Sequence, residues 1–467
     1  MTNPFQITPN SEEPIKPKPS LTIIASNPTK INQGPGTKAE WLKLVPDTKS
    51  KGEPYTIPTN DIRFVFNAKG ALNNAGDLPN ATDNTPPIPC HFHHRFVHAP
   101  KHLLEPALGA ISQSEWQDWR WQQRERLRKI DQLDGIIKVT EDEKTAFAKS
   151  DAMFHMGITP YYASLMDKDD PNCPIRLQSV PQIGELDILP SDLEDPLGEE
   201  KDMPVPGITH RYPDRVLFYT NHNCPVYCRH CTRKRKVSDP SSMADKEQIE
   251  LALAYIEKHS EVRDIVVSGG DPLSLSDDRL DYILGRLRAI PHVEIFRMGT
   301  RNLVTLPQRI TDDLAKMLRK HQPVFINTHF NHPKECTAEA LDACRKLADA
   351  GCVIGNQMVL LKGVNDDWRI VKELNHRLLL MRVRPYYMYQ CDLSQGISHF
   401  RTPISVGLDI IENLRGHTSG LAIPSYVVDA PGGGGKIPLQ PNYVKEHDGK
   451  KWTLRNFKGE TYTYIEP

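Results

Sequence analysis

The chain lacks most of what would place it in a membrane, in a secreted scaffold or on nucleic acid. No run of apolar residues approaches the roughly 20 needed to cross a bilayer. There is no excess of one charge: 58 Lys and Arg face 59 Asp and Glu. Nothing in that balance recruits DNA, RNA or an anionic membrane surface. The N-terminus has no apolar stretch of signal-peptide type; Met1 to Ser20 is polar and proline-rich, and Glu12 and Glu13 speak against a transit peptide. The nine cysteines are odd in number, and three fall within eight residues. That is poor material for a disulfide framework and good material for a cofactor in a reducing cytoplasm.

Apolar periodicity is also scarce in the first hundred residues, where Pro14, Pro17, Pro19, Pro86, Pro87 and Pro89 are dense. We expect an irregular extension over 1–110, with a short strand at Ile62–Phe66. The group Cys90, His91, His93, His94 and His98 fits no metal-ligand spacing and reads as a polar linker. A helical region over 111–205 follows. Trp116, Trp119, Leu127 and Ile130 recur at a helical period within Ser112–Ile130, and a second helix is expected at Glu141–Met156.

From Arg215 the pattern becomes strand, loop, helix, repeated. Strands are expected at Val216–Thr220, Asp264–Ser268, Val293–Met298, Val324–Thr328, Val353–Val359 and Arg384–Tyr389. The helices between and after them are Lys246–Lys258, Asp277–Ala289, Thr311–Lys320, Ala338–Ala350, Trp368–Leu379 and Val406–Arg415. Six such α/β units imply a parallel sheet with right-handed crossovers, curved into a partial (β/α)6 barrel over 206–425; a flat doubly wound sheet is the alternative. The last segment, 426–467, carries a glycine run. Chemistry in such barrels sits at the C-terminal ends of the strands.

Directly after the first of these strands comes Asn223-Cys224-Pro225-Val226-Tyr227-Cys228-Arg229-His230-Cys231. Three thiolates in a C-x3-C-x2-C spacing can hold three irons of a four-iron cluster and leave the fourth iron open to a small molecule. A zinc site would need a fourth ligand, and zinc sites usually pair such a motif with a second one, which is missing here. Ser268-Gly269-Gly270-Asp271-Pro272 follows the second strand. Farther on, Asp429-Ala430-Pro431-Gly432-Gly433-Gly434-Gly435-Lys436 has four glycines in a row, a costly choice unless the backbone must approach something closely or take positive φ. The spacing is not that of a P-loop. A flexible surface loop is one reading; a lysine poised to cap a phosphate or form a Schiff base is the other. Arg211 and Arg215, four apart, can clamp a phosphate or be two surface charges. A phosphate clamp with a Schiff-base lysine suggests pyridoxal phosphate.

The triad, with the glycine turn in register after the next strand, resembles the radical S-adenosylmethionine superfamily. That resemblance implies a [4Fe-4S] cluster on Cys224, Cys228 and Cys231, with S-adenosyl-L-methionine on the open iron. Ser268, Gly269, Gly270 and Asp271 would then lie against the methionine amino group, and His230 near adenine. The segments from Trp116 to Pro467, including Trp116–Trp121, Ile158–Tyr162, Leu193–Leu197, His210–Arg215 and Pro441-Asn442-Tyr443, resemble the lysine 2,3-aminomutase family. This implies pyridoxal 5'-phosphate on Lys436, with Arg211 and Arg215 on its phosphate, and His329 and Gln357 toward S-adenosylmethionine. As bare residues, those last two are ordinary polar caps of strand ends. Arg233 would pair with the substrate carboxylate, and Asp392 with Asp429 would receive the distal ammonium of lysine. The physics of that pair is direct: two carboxylates in a closed pocket repel each other unless a cation joins them. The implied reaction is a radical 1,2-amino migration on lysine, or on arginine or another basic amino acid. The implied partners are that amino acid and an electron donor such as flavodoxin or ferredoxin, in a cytoplasmic enzyme compatible with a homo-oligomer.

One departure stands out. Family members often bind zinc through cysteines of a C-terminal tail and one cysteine of the barrel. This chain ends at Pro467 and has Asp367 at that barrel position. Metal analysis of the purified protein is expected to find iron without stoichiometric zinc; one tightly bound zinc per chain would overturn this.

Overall fold

The computed structural model describes residues 95–150, 154–237 and 244–467. The strand expected at Ile62–Phe66, and Cys90, His91, His93 and His94, lie outside them. Of that histidine group only His98 is described, and it hydrogen-bonds Glu339 at 3.0 Å.

The sheet begins with a hairpin, β1 (Ile208–Tyr212) against β2 (Arg215–Asn221). It continues with β3 (Asp264–Gly269), β4 (Ile295–Gly299), β5 (Val324–Thr328), β6 (Val353–Leu360), β7 (Arg384–Gln390), β8 (Ser425–Ala430) and β9 (Gly435–Leu439). Their order in space is their order in sequence. From β2 to β8 all neighbours are parallel; β1 and β9 flank them antiparallel. Helices α1 (Lys246–Lys258), α2 (Asp277–Ala289), α3 (Asp312–Arg319), α4 (Ala338–Asp349), α5 (Trp368–Leu380) and α6 (Ile404–Leu414) connect the parallel strands. Strictly sequential order with crossovers of one hand puts every helix on the same face, so the sheet curls. A doubly wound sheet would require the order to reverse. The six expected strand–helix units are present, and a seventh parallel strand, β8, follows them.

The helices are cut by local chemistry. Asp245, Ser276, Thr311, Thr337 and Asp367 each stand at an N-cap and accept a backbone N–H of the first turn. Asp367, for example, accepts from the Arg369 N–H at 2.7 Å. The apolar face of α1 is Ile249, Ala252, Leu253 and Ile256, and that of α2 is Leu280, Ile283, Leu284 and Leu287. Both repeat at i, i+3, i+4, i+7, the spacing that lays one stripe on the sheet.

The strands have two unlike faces. On β2, Val216, Phe218 and Thr220 are buried while Arg215 and Leu217 are partly exposed; on β4, Phe296 and Met298 alternate with Ile295, Arg297 and Gly299 in the same way. On β6, Ile354, Asn356, Met358 and Leu360 alternate with Gly355, Gln357 and Val359. The buried set lies under the helices and the other set lines the barrel interior. That lining is part polar, and Arg297 of β4 pairs with Asp264 of β3 at 3.0 Å.

The two edges of the sheet face each other without a ladder. Gly432 N–H donates to the Pro196 carbonyl at 2.9 Å, Lys201 reaches the Gly432 carbonyl, and Lys436 N–H reaches the Tyr212 hydroxyl at 3.3 Å. Beyond β9, strands β10 (Val444–Asp448), β11 (Lys451–Arg455) and β12 (Thr461–Ile465) form a separate antiparallel sheet, which Arg455 ties to Glu412 of α6. Among the described residues no helix is long and apolar enough to cross a membrane.

The segment before β1 departs from expectation. The single helix expected over Ser112–Ile130 is two short ones, Gln113–Gln117 and Trp119–Arg124, because Asp118 turns its carboxylate to the N–H groups of Arg120 and Trp121 and starts a second helix. Leu127 then leaves the helix to bridge Ile158. The second helix spans Glu141–Ser150, and Phe154 to Met156 are not helical. This segment grips the barrel through the cysteine loop. Arg229, fully buried, donates from Nε and Nη2 to Glu185 at 2.8 and 2.6 Å, and from Nη1 to the Phe154 and His155 carbonyls at 3.2 and 3.1 Å. Arg229→Ala would strip Glu185 of its bidentate partner and leave Lys234, 3.2 Å away, as its one cation; it is expected to cost about 3 kcal/mol in urea denaturation, with Arg229→Ala/Glu185→Gln recovering part of the loss.

Candidate functional site

The C-terminal rim gathers the sequence motifs. The cysteine loop leaves β2 and passes directly over the turn that leaves β3. Gly270 N–H donates to the Asn221 carbonyl at 2.6 Å, Asp271 N–H to that of Asn223 at 2.9 Å, and the Asn221 amide to that of Asp271 at 2.7 Å. Gly269 has φ +140, and a Cβ there would fall on the Asn221 carbonyl oxygen. The glycines are therefore required by the closeness of the two loops. Asp271 is spent inside the protein: its carboxylate accepts from the Thr300 hydroxyl at 2.7 Å and from the Leu273 and Arg301 N–H groups at 3.0 and 2.7 Å.

The three thiols suit a polynuclear iron centre. Burial, then the charge of Asp271 and of the other two cysteines, pushes the Cys224 thiol up; burial and Cys228 push Cys231 to about 11. Such sulfurs become thiolates only beside a cation. Among the described residues no three His, Cys, Asp or Glu side chains converge on a single ion. Three thiolates on three different irons need not converge in that way.

Next to this loop His230 lies edge-on to Phe400, ring centroids 6.2 Å apart, and its buried Nδ1 has no hydrogen-bond partner among the described residues. Burial, then Arg301, holds His230 well below its ordinary value, and His329, following β5, is held at about 4 by the same two causes. Neutral imidazoles and an orphaned ring nitrogen fit an uncharged heterocycle such as adenine. Gln357 lies within β6 rather than at its end, on the interior face.

Across the barrel, β8 and β9 bring Asp429 and Lys436 into register, and Lys436 Nζ lies 3.0 Å from the Asp429 carboxylate and 5.2 Å from the centre of the Tyr389 ring. Gly433, at φ +90, passes so close to the opposite edge that a Cβ would meet the Leu197 carbonyl oxygen at 3.0 Å and Arg211 Nη2 at 3.2 Å. Arg211 is held by Asp202 at 2.8 Å, and Arg215 by Asp214 at 2.8 Å while lying 4.0 Å over the Tyr212 ring. A reactive amine, an aromatic face, a close glycine backbone and two guanidiniums fit a phosphorylated aromatic aldehyde.

Two comparisons bear on this arrangement. The profile of the Radical SAM superfamily matches residues 218–374, and that of Lysine-2,3-aminomutase matches residues 411–467. The L-lysine 2,3-aminomutase of Clostridium subterminale is 54% identical over 357 residues, covering 76% of this chain and 86% of that protein. The chain belongs to the lysine 2,3-aminomutase family. The L-lysine 2,3-aminomutase of Bacillus subtilis is also 54% identical, over 76% of each chain. A glutamate 2,3-aminomutase of Clostridioides difficile is 46% identical over 75% of this chain and 82% of its own. Membership of the radical SAM superfamily implies an iron–sulfur cluster and S-adenosylmethionine.

Sequence reasoning missed the groups that hold the site residues. Arg233 donates from Nη2 to Glu199 at 2.7 Å, leaving Nη1 facing Ser268 Oγ at 3.4 Å. Glu199, which burial would raise, is held at about 2 by Arg233 and by the Tyr219 hydroxyl. Arg301, two residues beyond β4, donates from Nη1 to the Cys228 sulfur at 2.7 Å. The barrel rule, applied to every strand end, would have marked Arg301; nothing local marks Glu199.

Asp392 follows β7 and feels the charges of Asp429, Lys436, Glu199 and Arg233, so these residues share one region. Burial, then the Asp429 charge, pushes its carboxyl up to about 7. A raised acid holds its proton below that value, and a cationic side chain must displace it. KM for a basic amino acid is therefore expected to fall as pH rises through about 7 and to level off above it. In Asp392→Asn that fall should vanish, as read from initial rates between pH 6 and 9.

Proposed function

We propose that this chain interconverts L-α-lysine and β-lysine by radical 1,2-amino migration. The observation that carries the reading is the polarity of the barrel mouth. A guanidinium, Arg233, lies beside the glycine turn, one carboxylate, Asp429, pairs with the Lys436 amine, and a second, Asp392, lies within reach of the charges of both. An α-amino acid with a distal cation satisfies both ends; glutamate would add a third carboxylate to the acidic end.

When bound, the cluster with S-adenosylmethionine supplies a radical that removes hydrogen from the substrate, and pyridoxal phosphate supplies the conjugated system over which nitrogen shifts. The chain's own residues bind and orient. Cys224, Cys228 and Cys231 hold the cluster. Ser268, Gly269, Gly270, His230, His329 and Gln357 surround S-adenosylmethionine, with Asp271 fixing the glycine turn from behind. Arg211 and Arg215 take the phosphate, and Lys436 carries the aldehyde. Arg233, its other edge fixed by Glu199, takes the substrate carboxylate through Nη1. Asp392 and Asp429 take the distal ammonium, so the carbon skeleton is stretched between two fixed charges. The single electron comes from a donor such as flavodoxin or ferredoxin, in a cytoplasmic setting that the reduced cysteines favour.

Anaerobic incubation of the loaded enzyme with L-lysine and a reductant should yield β-lysine by NMR. Lysine should outcompete arginine, and Asp392→Asn should lose about 10- to 100-fold in kcat/KM, as loss of a charge-assisted contact predicts. No β-lysine from enzyme full in both cofactors would sink the reading, and a preference for arginine would change the substrate while leaving the chemistry.

A further inference from the structure

Arg301 is the one charged side chain seen to donate to a sulfur of the triad among the described residues. It is 8% exposed, and its partners leave it little freedom. Nη2 donates to Gln178 Oε1 at 2.6 Å, Glu335 Oε1 at 2.8 Å and the Tyr162 hydroxyl at 3.2 Å; Nε donates to the His329 carbonyl at 3.2 Å. Its own N–H is fixed by Asp271 at 2.7 Å. With one edge of the planar fork committed, Nη1 is aimed at Cys228 Sγ. Glu335, fully buried, is itself held by the N–H groups of Asn331 and His332 at 2.5 and 3.0 Å and by Tyr162 at 2.8 Å. The guanidinium therefore stands between a fixed carboxylate and the Cys228 sulfur.

We propose that Arg301 raises the reduction potential of the iron–sulfur centre by donating a charged hydrogen bond to the Cys228 sulfur. This rests on the reading that the triad holds the cluster. One electron enters the cluster from the donor, no bond breaks, and the cluster gains a unit of negative charge. A donor carrying positive charge at a ligand sulfur favours that reduced state, since hydrogen bonds to sulfur and net charge set such potentials. Glu335 works in the opposite sense, with a guanidinium between it and the sulfur. The two residues tune the centre in opposite directions from one buried pair.

The test is an EPR-monitored redox titration of the anaerobically reconstituted full chain. Three variants are compared with the unaltered protein: Glu335→Gln, Arg301→Gln/Glu335→Gln and Arg301→Lys. The double variant buries no unpaired charge. Glu335→Gln should reduce more readily than the unaltered protein. At a fixed potential the double variant should show a reduced-to-oxidised ratio about tenfold below that of Glu335→Gln, which is about 59 mV for one electron. Arg301→Lys should fall between the double variant and the unaltered protein. Equal ratios at full iron content would overturn the proposal. So would loss of iron from both Arg301 variants but not from Glu335→Gln, which would make the arginine a brace for the loop. A Cys228→Ala chain that keeps a complete cluster would instead remove the reading of the triad on which the proposal stands.

Discussion

The buried pair of Arg229 and Glu185 is the contact on which the geometry of the rim depends. Arg229 lies between two residues with work at the surface of the barrel, Cys228 and His230, and points the other way. Removing a guanidinium and a carboxylate from water is costly, and the cost is offset only when the geometry is right and the remaining donors are filled. Here the fork meets both carboxylate oxygens, and two backbone carbonyls take the rest. A loop anchored in this way has one low-energy position. The anchor also explains why the irregular segment before β1 is long: its turns bring Glu185, Phe154 and His155 under the cysteine loop. Arg126, from the same segment, holds that loop from another side through the Cys224 carbonyl at 2.6 Å.

Electrostatics then divides the interior. The outer faces of the parallel strands are mostly apolar and covered by helices. Among the described residues, charges in the interior and at its mouth are paired at three places: Arg297 with Asp264, Arg233 with Glu199, Lys436 with Asp429. Asp392 is the exception, a carboxylate whose nearest strong influence after burial is another carboxylate. A barrel packed with branched aliphatic side chains would be more stable and would have no room for chemistry. This one keeps its apolar contacts between sheet and helices and gives part of its lining to polar groups.

Much of this was legible in the sequence, for identifiable reasons. The strand–helix units could be read because helix stripes such as Ile249, Ala252, Leu253 and Ile256 have a clear period, and because the N-caps Asp245, Ser276, Thr311, Thr337 and Asp367 are of the expected types. The seventh strand escaped because Ser425–Ala430 is short and runs into a glycine loop that reads as irregular. The first helix was misjudged at Asp118, where a local side-chain bond outcompetes helix continuation. Motif residues were legible because their spacing along the chain is fixed by one loop. Their supports were not: Glu199 meets Arg233 from 34 positions away, and Arg301 meets Cys228 from 73. Contacts of that range leave no local pattern, and only the folded chain displays them.

The meeting of the two sheet edges has a mechanical consequence. Lys436 rides on β9, which is paired through its backbone to β8 alone. On its other side the barrel is fastened by a few isolated bonds, from Gly432 to Pro196, from Lys201 to Gly432 and from Lys436 to Tyr212. A seam of this kind opens for the loss of a few bonds, where an interior strand would forfeit a ladder on both sides. The barrel is thus a cylinder with a hinge line, and its reactive amine is mounted on the leaf of the hinge.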